Sequence, residues 1–91
     1  MRGLIRSTKT REYDLFLSVL LESRKESGVS QRELARRIGR TQTYVSKIER
    51  GDQRMDIVEL LAYCAGIGKQ ASHLVLRLEL AVKSENGVSC P

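Results

Sequence analysis

Apolar residues recur along this chain at spacings of three, four and seven, the period of one face of an α-helix. In residues 11–27 that face is Leu15, Phe16, Val19 and Leu20, with Ser23 in register, and Gly28 ends the run. Leu17 and Leu21 form a second apolar face, more than one core requires. Ser30-x-x-Glu33 then has the form of a capping box. The serine takes up an orphan helix amide and the glutamate reaches back to the start of the helix. Leu34, Ala35 and Ile38 supply the inward face of this second helix, and Gly39 stops it with a left-handed turn. Thr41 caps a third helix that runs to Arg50. Val45 and Ile48 face inward, and Gly51 closes it.

Residues 52–55 read as a loop. Asp56-x-x-Glu59 opens a fourth helix, with Ile57, Leu60, Leu61, Cys64 and Ile67 on its face and either Gly66 or Gly68 at its end. Residues 71–83 fit two patterns. Leu74, Leu76, Leu78, Leu80 and Val82 alternate as in a strand, whereas Leu74, Val75, Leu78, Ala81 and Val82 share a helix face. A lone strand in a helical domain has no pairing partner, so a fifth helix is the expectation. Leu76 and Leu80, one turn apart, then lie opposite its core stripe. They are core in a different packing, or a surface for a second chain. The expected core is Phe16, Leu20, Leu34, Ala35, Ile38, Val45, Ile48, Leu61 and Leu78.

The 91 residues suit one domain: a basic flexible arm over 1–10, an all-α domain over 11–83 and a loose tail over 84–91. No apolar run nears the roughly 18 residues that span a bilayer. The start, Met1-Arg2-Gly3-Leu4-Ile5-Arg6, has no apolar signal region, so the expected location is cytoplasmic, with no membrane partner. Cys64 and Cys90 have neither metal nor redox spacing, and His73 is the only histidine. No nucleophile and base pair up, so no enzyme, cofactor or metal site is expected.

Charge changes the picture more. The net charge is +5, and it is unevenly placed. Residues 30–54 carry Arg32, Arg36, Arg37, Arg40, Lys47, Arg50 and Arg54 against Glu33, Glu49 and Asp52. Arg2, Arg6, Lys9 and Arg11 precede them without an acid, as a disordered tail or as an arm for a polyanion. With Val45 and Ile48 inward, Gln42, Thr43, Ser46 and Lys47 point outward and Arg50 ends the helix. Short donors and acceptors on such a helix suit base edges in a major groove, and cations suit phosphates.

The run Ser30-Gln31-Arg32-Glu33-Leu34-Ala35, then Gly39-Arg40-Thr41-Gln42, then Val45-Ser46-Lys47-Ile48-Glu49-Arg50-Gly51 resembles the Cro/C1-repressor (Xre-type) helix-turn-helix family over residues 13–78. The resemblance implies a five-helix, lambda-repressor-like DNA-binding domain in which helices two and three form the helix-turn-helix. It implies a phosphate contact for Gln31 and base reading by Thr41, Gln42, Thr43 and Lys47. Backbone contacts fall to Arg50 and Arg54, with Arg40, Tyr44 and Ser46 beside them. It also places Arg24 against Glu49 as a structural ion pair. The function implied is a transcription regulator: a repressor that occupies a palindromic double-stranded operator as a homodimer. The spare apolar face of Leu76 and Leu80 is the expected surface for that homodimer. The alternative is an antitoxin-like module that uses the same fold to bind a protein partner.

Overall fold

The computed structural model describes residues 10–86. The basic arm, Thr10 excepted, and residues 87–91 with Cys90 lie outside the described residues. Five helices follow one another: α1 (Arg11–Glu26), α2 (Gln31–Ile38), α3 (Gln42–Arg50), α4 (Ile57–Ile67) and α5 (Ala71–Asn86). The ambiguous last segment is therefore helical, and it continues three residues beyond Lys83.

Local chemistry sets the helix starts. Thr10, Ser30, Thr41 and Asp56 each take an extended backbone and accept a hydrogen bond from the amide three residues on. The full reciprocal box forms at Asp56, where Glu59 Oε1 accepts from the Asp56 amide at 2.8 Å. At Ser30 only the serine half forms. The Glu33 carboxylate turns instead to Arg36 and Arg37, whose guanidinium groups offer charge-assisted bonds in place of one neutral amide. Gly39, at φ 71°, makes the left-handed bend between α2 and α3.

The core gathers Val19, Leu20, Leu34, Ala35, Val45, Ile48, Leu60, Tyr63, Cys64, Ile67 and Leu74. Phe16, Ile38 and Leu78 are half-buried against it. α1 packs on α3 and α5, while α2 packs on α3 and α4. Three positions assigned to the inner side turn out otherwise. Leu61 is 54% exposed, and Leu60 and Tyr63 fill the interior in its place. Ile57 and Val75 are exposed as well. α4 is apolar on nearly every side, so spacing alone allows more than one phase. Gly68 caps α4 with a positive φ, whereas Gly66 lies inside the helix, where α4 meets α2. A β-carbon at Gly66 would sit 2.4 Å from Leu34 Cδ1 and 2.8 Å from Ile38 Cγ2. This close approach presses α2, and through it the α2–α3 turn, against the rest of the domain. No helix among the described residues is long and apolar enough to cross a membrane.

Candidate nucleic-acid interface

α3 is a nine-residue helix that buries Val45 and Ile48 and exposes Gln42, Thr43, Lys47 and Arg50. At its C-terminal end Glu49 points inward, with its side chain only 4% exposed. Arg24 of α1 grips both carboxylate oxygens, Nε to Oε2 at 2.7 Å and Nη2 to Oε1 at 3.0 Å. Its third donor goes to the Val29 carbonyl at 2.9 Å. Tyr63 of α4 donates its hydroxyl to Glu49 Oε2 at 2.6 Å, and Gln31 of α2 donates its amide nitrogen to Oε1 at 2.9 Å. One carboxylate thus ties α3 to α1, α2 and α4. Burial works against its charge, but the bonds from Arg24, Tyr63 and Gln31 outweigh burial and hold the carboxyl below its usual range. The Tyr63 phenol is pushed far upward, by burial first and then by the Glu49 carboxylate it serves.

Above this buried cluster, Gln31, Gln42, Thr43, Ser46 and Arg50 line one shallow, open pocket. The pocket joins the first residue of α2 to the outer face of α3. Lys47 is exposed on the same helix and, like Arg32, makes no ion pair within the described residues. Thr41 caps α3 by accepting from the Tyr44 amide at 3.0 Å, which leaves its own O–H to donate outward. Arg50 extends over Ser46 and Asp52, with Nε 3.0 Å from Asp52 Oδ2.

The other basic candidates are not in that pocket. Arg40 stacks on the Tyr44 ring, its guanidinium carbon 4.1 Å from the centroid, and approaches Glu59 at 3.8 Å. Burial, then the Glu59 charge, pushes the Tyr44 phenol up. Arg54 lies 4.5 Å over the ring of Tyr13, whose hydroxyl accepts from the Met55 amide at 3.1 Å. Arg37 reaches the Gly66 carbonyl at 2.8 Å and so serves the α2–α4 contact. Arg77 of α5 binds Ser23, Glu22 and Glu26 of α1. The seven basic side chains of residues 30–54 are all exposed, but several are shared with carboxylates. Glu33, between two arginines, has its carboxyl lowered to about 2.

Sequence reasoning missed Tyr63. The signal was present, since Leu60, Tyr63, Cys64 and Ile67 show the same spacings as the series built on Leu61. It also missed the bond from Gln31 to Glu49, which joins residues 18 positions apart.

Known proteins share this fold. The family model described as "Helix-turn-helix" matches residues 20–74. No curated protein matches the chain. An XRE-family like protein from Pseudomonas syringae pv. tomato is 41% identical, over 77% of this chain and 85% of that one, with a TM-score of 0.73. Two structures of the clp gene regulator ClgR from Corynebacterium glutamicum share the fold. One is 22% identical over 80% of this chain and 95% of that one, with a TM-score of 0.71. The other is 20% identical over 86% and 83%, with a TM-score of 0.73. The chain belongs to the Cro/C1-type (Xre) helix-turn-helix family.

Proposed function

We propose that this chain is a sequence-specific DNA-binding transcription regulator, a cytoplasmic repressor that occupies its operator with α3 in the major groove. One observation carries the reading. The polar pocket of Gln31, Gln42, Thr43, Ser46 and Arg50 sits on a helix whose far side is tied to three others through Glu49. A rigid mount matters because base-edge hydrogen bonds tolerate little misplacement, whereas phosphate attraction alone does not need one. Gln42, Thr43 and Lys47 are the base readers in this proposal, with Thr41 at the helix start. Gln31, Arg50 and Arg54 hold the backbone, and Arg40, Tyr44 and Ser46 flank them. Arg50 exchanges its Asp52 partner for a phosphate. Selection of bound duplexes from a random pool tests the proposal. A recovered palindrome supports it, and recovery of no preferred sequence overturns it.

Assembly belongs to the same proposal. Leu76 is 52% and Leu80 58% exposed, one turn apart on α5, with Val75 beside them. Two copies meeting there would bury this apolar face and supply the twofold axis that a palindrome needs. A second reading is favoured by a separate observation. Ile57, Val58 and Leu61 of α4 are also exposed, which is more apolar surface than one α5 pairing covers. An antitoxin-like module would use such a face for a protein partner. The solution mass of the purified chain with and without operator separates the two readings. A dimer that binds duplex DNA unaided supports the regulator.

A further inference from the structure

Gln31 is half-exposed and belongs to two environments at once. Outward it lines the pocket with Gln42, Thr43, Ser46 and Arg50. Inward its Nε2 donates to Glu49 Oε1 at 2.9 Å. A carboxamide has a donor end and an acceptor end, and an ionised carboxylate only accepts. One flip of the Gln31 amide therefore gives a charge-assisted hydrogen bond, and the other sets oxygen against oxygen. Glu49 is in no position to swing away and relieve that contact. Its side chain is buried, both oxygens are held by Arg24, and Tyr63 donates to Oε2. The sense of the Gln31 amide is fixed from beneath.

We infer that Glu49 is a positioning residue for DNA recognition, acting through Gln31: it holds that amide with its nitrogen inward and its carbonyl oxygen and second N–H available to the pocket. The inference deepens the DNA-binding reading and rests on it. An amide free to flip would offer either of two patterns to a duplex and would lose that freedom on binding. A preset amide offers one pattern and avoids that loss, a gain on the order of 2- to 10-fold in affinity. The buried cluster and the outward pocket become one hydrogen-bonded unit.

The test has two arms on the full chain. In the first, the side-chain amide protons of Gln31 are followed by NMR without DNA and identified by their absence in Gln31→Leu. The expected result is two well-separated signals, one exchanging slowly with solvent. A pair at the free-amide position, exchanging as fast as that of the exposed Gln53, overturns the inference. In the second, Gln31→Leu and Glu49→Gln are combined in a double-mutant cycle on the selected duplex, at a temperature where melting curves show each variant folded. Gln31→Leu is expected to weaken binding about 10-fold in the wild-type background but under 2-fold beside Glu49→Gln. Equal losses in both backgrounds overturn the inference, because a purely structural Glu49 would leave the effect of Gln31 unchanged. If Glu49→Gln does not fold, the first arm decides. If no duplex is bound at all, the function fails while the first arm still reports whether Glu49 orients Gln31.

Discussion

Glu49 keeps a charge inside the protein because three side chains donate to it, and each donor has a separable effect. Tyr63→Phe removes one donor without changing the shape of the core. Leaving a buried carboxylate short of one partner should destabilise the fold by about 1–3 kcal/mol, read from urea unfolding at neutral pH. The pH dependence follows from the same bonds. The Glu49 carboxyl lies below its ordinary 4.5 in the folded state, so the unfolded chain binds the proton more readily. Its stabilisation is fully present above about pH 4.5 and is lost as the pH falls through the lower folded value. The exposed Glu26, lowered by Lys69 and then Arg77, adds a smaller effect of the same sign. Stability should stay level from neutral pH towards 5 and fall below it, and Tyr63→Phe should fall less steeply because its Glu49 sits nearer the ordinary value. An identical slope in both proteins would place the acid sensitivity elsewhere. The Arg24 and Glu49 positions came from family resemblance, and nothing in their spacing reveals the pair. The inward position of Tyr63 was legible in its spacing, but its hydroxyl bond to Glu49 was not, because that partner lies on another element.

Elements lock together through side-chain size as much as through charge. Gly66 stands where α4 crosses α2, and an added β-carbon would strike Leu34, which is fully buried and has little room to yield. Gly66→Ala should therefore destabilise the protein by about 1–3 kcal/mol by overpacking. In an exposed helix the same change stabilises by about 1 kcal/mol. Thermal melting decides between them, and a raised midpoint would mean that the two helices separate easily. The helix starts were legible because Ser30, Thr41 and Asp56 announce them chemically. α2 and α3 were also legible in phase, since each carries its apolar residues on one side only. α4 was not. Ile57, Val58, Leu60, Leu61, Tyr63, Cys64 and Ile67 surround the helix, so the buried side depends on what α1, α2 and α5 present to it. Leu61 was assigned inward for that reason, and its place belongs to Tyr63.

At the scale of the whole molecule, two questions remain joined: how copies assemble and what their shared face reads. Changing Leu76 and Leu80 together to Glu should give a folded monomer with weakened operator binding, because both leucines are more than half exposed and lie outside the buried core. Sedimentation of the wild type as a monomer at high micromolar concentration would remove the α5 pairing. A twofold dimer should set its recognition helices roughly 34 Å apart, which requires half-sites one helical turn apart. The sequence shows the apolar surplus but not the geometry of its pairing, since that depends on a second chain. The most direct test of the central claim compares Gln42→Ala with Arg50→Ala on selected and random duplexes across a range of salt. Gln42→Ala should lose about 1–3 kcal/mol on the selected site, with relaxed preference at one base step and little change on random DNA. Arg50→Ala should weaken every sequence alike and flatten the salt dependence by about one unit. Equal losses by both variants on every sequence would contradict the account and leave α3 as a charged surface that reads nothing.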